Sequence, residues 1–226
     1  MIATDLAGWT VVFDLDGTLI DTAPDLHASL NHCLEGAGLT AVPFDAVRAM
    51  IGQGAKAMIS KGLEWNEADE AAHDLDALWE AFLTHYRANI CHLSRPFPDA
   101  IAVLEDLAEA GAVCAVCTNK TQALAEAVLE ELGISGKFAA IRGADAVPAR
   151  KPDGDHIVQT IQAAGGDVGR AIMIGDSQTD ERAARNAELP FIYVTFGYGP
   201  DPEDLSIYPV ASTYAEVRTA IGTIVA

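Results

Sequence analysis

The sequence predicts an α/β protein: a doubly wound parallel sheet interrupted by a helical insert. Three observations carry this. Short, continuously apolar runs recur along the chain, amphipathic helical patterns lie between them, and residues 22–88 break the alternation with helical patterns and no convincing strand. Strands that are apolar throughout are buried on both faces, as in a parallel sheet covered by helices. The 226 residues allow one large or two small domains. With 50 % hydrophobic and 21 % charged residues, the composition is globular and supports a sizeable core.

The first apolar run, Trp9–Phe13, ends at Asp14 and reads as a buried strand. Helical patterns follow at Asp25–Glu35, Phe44–Met50, Ala55–Leu63 and Glu67–Ala88. The boundaries of this insert fall at Leu19–Ala23 and Ile90–Pro98. The expected division is a core of residues 1–20 and 89–226 with an all-helical cap of residues 21–88. Such a cap sits over the carboxyl ends of the strands, where open α/β sheets bind ligands, and closure on a substrate is expected. Asp99–Ala110 carries Ile101, Leu104 and Leu107 at helical spacing, between Pro98 and Gly111. Ala112–Cys117 is a second strand, ending at Thr118, and Thr121–Leu132 a helix closed by Gly133. Asp155–Ala164 and Gln178–Leu189 are shorter helices, and Ala171–Ile174 and Phe191–Val194 are further strands. The core is Rossmann-like.

The formal net charge is −19. Such a surface repels nucleic acid and anionic lipid, so neither is an expected partner. An anionic ligand would need local positive charge, from a metal ion or a few placed Lys and Arg. Residues 1–13 include acidic Asp5 and lack a basic region followed by a long apolar stretch, and no run approaches a membrane span. A cytoplasmic protein, monomeric or homodimeric, is the expectation. Cys33, Cys91, Cys114 and Cys117 show no disulfide-framework spacing. Cys114 and Cys117 lie within a strand and read as core rather than a zinc or redox pair. The six histidines show no ligand spacing with one another.

Chemistry concentrates at the strand ends. In Asp14-Leu15-Asp16-Gly17-Thr18 two carboxylates follow a buried strand, and a turn with a helix cap explains one of them but not both. Gly175-Asp176-Ser177-Gln178-Thr179-Asp180 repeats the pattern, with Ser177 placed to cap a helix. Parallel strands deliver their carboxyl ends to one side, so Asp14, Asp16, Asp176 and Asp180 are expected to converge. Two like charges at 4 Å repel by about 4 kcal/mol at an effective dielectric of 20, so such a cluster needs cations. Oxygen ligands without His or Cys favour Mg²⁺. Lys151, in Arg150-Lys151-Pro152-Asp153, is the second cation, set in a loop before a helix rather than on an open surface. Thr118, followed by Asn119 and Lys120 at an expected helix start, suits a phosphate oxygen, and a simple N-cap explains it equally well locally.

Together these motifs, in this order, resemble the four motifs of the haloacid dehalogenase superfamily. The resemblance spans the chain. Thr22-Ala23-Pro24-Asp25-Leu26, Ile51-Gly52-Gln53-Gly54-Ala55, Thr118-Asn119-Lys120 and Thr195-Phe196-Gly197-Tyr198-Gly199 are similar to its phosphoglycolate phosphatase branch. The resemblance implies a phosphatase acting on a small-molecule phosphate ester. Asp14 would be the nucleophile and Asp16 the acid and base. Thr118 and the Asn119 amide would hold phosphate, and Lys151 would steady Asp14 and the phosphoryl group. Mg²⁺ would be held by Asp14, the Asp16 carbonyl and Asp176, with Asp180 acting through water. An Asp at position 16 implies an alcohol-like leaving group, because a halide leaves unaided. In the cap, the Gly52-Gln53-Gly54 amides, Lys56 and Arg48 are expected to meet a substrate carboxylate, as 2-phosphoglycolate requires. Pyrophosphate, sugar phosphates and nucleotides are the alternative substrates. A sugar phosphomutase is a rival of the same fold, and a non-catalytic binding protein a rival of another class. Gly154, where relatives often have a second proline, is expected to loosen its helix start.

Overall fold

The computed structural model describes residues 5–226. The chain enters the sheet with β1 (Thr10–Phe13), whose four side chains are all buried. A turn at Gly17 leads to β2 (Ile20–Asp21) and then to four helices: α1 (Ala23–Gly36), α2 (Phe44–Arg48), α3 (Ala55–Trp65) and α4 (Leu75–Ala88). β3 (Arg95–Pro96) pairs antiparallel with β2, so the helical insert leaves and returns through one two-stranded stem. The remainder alternates: α5 (Ala100–Glu109), β4 (Val113–Cys117), α6 (Gln122–Glu131), β5 (Ala140–Arg142), α7 (Gly154–Ala163), β6 (Ala171–Gly175), α8 (Gln178–Asn186), β7 (Phe191–Val194), β8 (Val210–Ala211) and α9 (Tyr214–Val225).

Six strands form one sheet in the order β5-β4-β1-β6-β7-β8, every neighbouring pair parallel. The chain builds outward from β1 on one side, then crosses to build the other. β1 is therefore the switch point, where open sheets of this kind bind ligands. Phe13 is level with Val116 of β4 and Ile174 of β6, so three strand ends lie side by side.

The sheet explains its own sequence. Val11 and Phe13 join a core shared with the insert, and Val12 joins a second core with Ile157, Ile161 and Met173 on the opposite face. Both faces need apolar side chains, hence the unbroken runs. Cys114 belongs to the first core and Cys117 to the second. They point to opposite faces of β4, which rules them out as a pair.

The four strands read from apolar runs are present, each within one residue of its expected ends. β5 and β8 were not foreseen: they are three and two residues long, at the sheet edges, and β5 ends on Arg142. The expected helix over Glu67–Ala88 begins only at Leu75. Glu67 adopts φ +51°, and Asp74 caps the new start through the Asp76 and Ala77 amides. α8 stops at Asn186 rather than Leu189, with Glu188 at φ +57°. Gly154 does not loosen its helix start. Asp153 caps it, and the missing side chain lets α7 abut the end of α8, where a Cβ would meet the Ala187 nitrogen at 2.6 Å. No helix among the described residues is long and apolar enough to cross a membrane.

The insert is tied to its stem by Asp25, a buried carboxylate in the first turn of α1. It accepts hydrogen bonds from the Leu93 and Ser94 amides at 2.9 Å each and from the Ser94 hydroxyl at 2.6 Å. Asp25→Ala strands these donors in the interior, at about 1–3 kcal/mol for each unsatisfied group. A loss of about 3 kcal/mol and a fall in Tm of about 6–12 °C are expected in thermal denaturation. An unchanged Tm contradicts the clamp.

Candidate active site

Asp14 is the first residue beyond β1, and its amide donates to the Ile174 carbonyl of β6 at 3.0 Å, extending the parallel ladder. Asp176 follows β6 directly, and Asp180 lies in the first turn of α8. One carboxylate oxygen from each of these three aspartates lies within 4.8 Å of the others, and all three residues are buried. Of the four aspartates expected to converge, these three do; the Asp16 carboxylate lies outside the cluster, paired to Lys120.

Each carboxylate is fixed differently. Asp180 completes a capping box with Ser177: its Oδ2 accepts from the Ser177 amide at 3.2 Å and hydroxyl at 2.6 Å. Its Oδ1 accepts from Lys151 Nζ at 2.6 Å. The same ammonium lies 2.8 Å from Asp14 Oδ1, with only 1 % of the lysine side chain exposed. Asp176 Oδ1 accepts from the Thr18 hydroxyl at 3.0 Å, and Oδ2 from the Tyr198 and Gly199 amides at 2.9 and 3.0 Å. That enclosure depends on missing side chains. A Cβ at Gly17 would lie 2.4 Å from Asp176 Oδ2, and one at Gly197 only 2.2 Å from Asp176 Cβ.

The electrostatics show an incomplete balance. Burial pushes Asp14 up to about 8, with Asp180 and Asp176 adding to it and Lys151 opposing. Burial likewise raises Asp176 to about 6, with Asp180 adding. Burial alone would lower Lys151, but Asp14 and Asp180 outweigh it and hold the ammonium above the ordinary lysine range. When all are ionised, three carboxylates against one ammonium leave two negative charges, matched by a divalent cation. The donor set is all oxygen, which suits a hard ion. These residues fit a divalent metal, with Asp14 and Asp176 offering ligand atoms and Asp180 already engaged by Lys151 and Ser177.

The lysine loop is braced from behind. His156 Nδ1 accepts from the Lys151 amide at 3.3 Å, and its Nε2 lies 3.2 Å from the Arg142 carbonyl. Burial, then the Lys151 charge, lowers this histidine to about 4, so it is neutral and carries its proton on Nε2.

In front of the cluster lies a cavity of about 510 Å³, between the sheet end and the insert. Asp14, Asp16 and Thr118 line it from the sheet side, and Gly52, Gly54 and Lys56 from the insert. Thr118 does not cap a helix: α6 starts at Gln122, and Thr121 precedes it. The Thr118 hydroxyl instead accepts from the Lys120 amide at 3.1 Å. Asn119 bridges the two sides, donating from Nδ2 to the Gly52 carbonyl at 3.3 Å and the Lys151 carbonyl at 3.0 Å. Lys56 is ion-paired to Asp76 at 2.7 Å, both exposed. Arg48 is not among the cavity residues. It donates to the Gly197 carbonyl at 3.2 Å and lies over the Tyr198 ring.

The family profile of the haloacid dehalogenase-like hydrolases matches residues 11–194, a span holding Asp14, Asp16, Thr118, Lys151, Asp176 and Asp180. The chain belongs to that family. A phosphoglycolate phosphatase of Agrobacterium fabrum is 51 % identical to this hydrolase over 191 residues, 84 % of this chain and 82 % of that one. Another, from Caulobacter vibrioides, is 46 % identical over 97 % of this chain and 93 % of its own length. Among solved structures, a predicted phosphoglycolate phosphatase from Haemophilus somnus superposes with a TM-score of 0.87 at 27 % identity, covering 95 % of this chain and 97 % of that one.

The site of the hydrolase also holds residues to which the sequence reading gave no role. Asp16 accepts from Thr22 Oγ1 at 2.6 Å and is ion-paired to Lys120, with Nζ at 2.9 and 3.2 Å from its two oxygens. Tyr198 OH accepts from the Thr22 amide at 2.8 Å. The signal for Lys120 was present, a lysine two residues past a strand-ending threonine. Its partner could be read only once β4 was known to neighbour β1.

Two outcomes test this geometry. Gly197→Ala should displace Asp176 and weaken divalent-ion binding about 10-fold or more in calorimetric titration while the fold persists; unchanged affinity contradicts the enclosure. Ion binding requires the unprotonated carboxylates, whereas burial favours their protonated forms. Binding should therefore release protons and weaken as pH falls from about 8 toward about 6. Titration in buffers of different ionisation enthalpy measures that release.

Proposed function

We propose that this hydrolase is an Mg²⁺-dependent phosphatase that converts 2-phosphoglycolate to glycolate and phosphate through an aspartyl-phosphate on Asp14. The observation that supports the chemistry is the Lys151 ammonium held between Asp14 and Asp180 beside Asp176. The choice of substrate rests on relatives 46–51 % identical over most of their length, all named for it.

An Asp14 oxygen attacks phosphorus, and the bond to the ester oxygen breaks. Asp16, entering the cycle with a proton on Oδ2 while Oδ1 keeps its Thr22 and Lys120 contacts, gives that proton to the leaving alkoxide, which departs as glycolate. A water molecule then attacks the phosphorus of the aspartyl-phosphate and yields its proton to Asp16. Inorganic phosphate leaves, and both aspartates return to their starting states. Splitting the reaction gives each displacement a competent nucleophile. Lys151 neutralises charge between the attacking carboxylate and the phosphoryl oxygens, and Thr118 with the amide that follows it receives those oxygens. Mg²⁺, when bound at Asp14 and Asp176, supplies further charge neutralisation.

The substrate carboxylate is read by the Gly52–Gly54 amides and Lys56. Gly52 has φ +107°, and a side chain there would meet nothing within 4 Å, so the loop is open for an approaching anion. The exposed Lys56–Asp76 pair is worth about 1 kcal/mol or less and yields readily to a better-placed carboxylate. Arg48 stays with the Tyr198 loop and takes no part in this reading.

Asp14→Asn should cut phosphate release from 2-phosphoglycolate by about 10⁴-fold or more with the fold intact. Chelation should abolish turnover, and Mg²⁺ restore it. A metabolite panel including pyrophosphate, sugar phosphates and nucleotides should place 2-phosphoglycolate first; a different leader overturns the substrate, and an active Asp14→Asn overturns the mechanism. Lys56→Ala should raise KM for 2-phosphoglycolate about 10-fold with kcat unchanged, and an unaltered KM removes Lys56 from the site.

A further inference from the structure

We propose that Lys120 is a positioning residue for Asp16, and that Tyr86, carried by the insert, completes the seat in which Lys120 does this. The inference rests on the phosphatase reading, because it assigns Lys120 to the acid and base of that reaction.

Lys120 is only 8 % exposed. A buried ammonium costs several kcal/mol unless it is paired with good geometry. Its pairing is specific: Nζ reaches both oxygens of Asp16, at 2.9 and 3.2 Å. Its other neighbour is the face of Tyr86, with Nζ 4.8 Å from the ring centroid. Tyr86 is fully buried near the end of α4, and burial pushes its hydroxyl up to about 12, with Lys120 opposing, so the ring stays neutral and presents a π face to the cation. Burial would lower Lys120, but Asp16 and Tyr86 outweigh it, and the ammonium stays charged.

The backbone of Lys120 is fixed as well. Its amide donates to Thr118 Oγ1 at 3.1 Å, and its carbonyl accepts from the Ala144 amide at 2.9 Å. The ammonium therefore hangs from the same strand end that presents Thr118 to the phosphate. Asp16 Oδ1 is held twice, by Thr22 at 2.6 Å and Lys120 at 2.9 Å, whereas among the described residues Oδ2 has only the longer Lys120 contact. Oδ2 is the oxygen left to exchange a proton with the leaving group and later with water. Because Tyr86 belongs to the insert, a displaced insert removes one wall of the seat, which couples insert position to the delivery of the acid.

The test compares leaving groups. Glycolate leaves as a poor alkoxide that needs a proton, and 4-nitrophenolate leaves without one. Lys120→Met should slow the first step, read as alcohol release in a single turnover, by about 100-fold with 2-phosphoglycolate and by less than about 5-fold with 4-nitrophenyl phosphate, and Lys120→Arg should restore part of the difference. Tyr86→Leu, which keeps the lysine, should show the same leaving-group dependence at smaller amplitude, and it carries the test should Lys120→Met fail to fold. Equal losses on both esters mean that Lys120 serves phosphate binding or the fold, and overturn this proposal alone. No turnover of either ester by the unaltered protein overturns the phosphatase reading and this proposal with it.

Discussion

The Lys151 ammonium, buried between Asp14 and Asp180, is the interaction on which the rest of the site depends. Without it, three carboxylates would face one another at distances where each pair repels by about 4 kcal/mol. With it, the fully ionised cluster carries two negative charges, which a divalent cation matches. Every neighbouring element serves this arrangement. β1 and β6 pair in parallel and bring Asp14 and Asp176 to one edge, the capping box of α8 turns Asp180 toward the lysine, and His156 braces the loop that carries it.

The same logic recurs one step forward, at the boundary with the insert. Buried Lys120 pairs with half-buried Asp16, and the residues around them come from both parts of the chain: Thr22 at the exit to the insert, Tyr86 near its last turn, Tyr198 from the loop after β7. Asn119 adds a link from the strand end to Gly52. The cavity is thus walled on one side by a charge-balanced sheet edge and on the other by helices whose placement is written into hydrogen bonds with that edge.

Much of this was legible in the sequence because parallel sheets obey strong rules. Short apolar runs rich in β-branched residues suit strands buried on two faces, and a polar residue ending such a run falls on the common edge; Asp14, Thr118 and Asp176 follow from that. The gaps have physical causes. β5 and β8 are too short and too near the edge to need an apolar run. The break before α4 depends on Asp74 capping a helix that periodicity alone would have extended upstream. Lys120 and Arg48 show the limit most clearly. Nothing local distinguishes a lysine buried against Asp16 from one in solvent, or an arginine aimed at a cavity from one lying on Tyr198; only the neighbouring strand or loop decides.

The most direct measurement is anomalous diffraction from crystals grown with Mn²⁺ in place of Mg²⁺. A single strong peak about 2.1 Å from carboxylate oxygens of Asp14 and Asp176, with Lys151 still bridging Asp14 and Asp180, is the predicted result. A cluster that stays free of metal at saturating Mn²⁺, or a peak bound elsewhere while the three aspartates keep their places, would contradict the account.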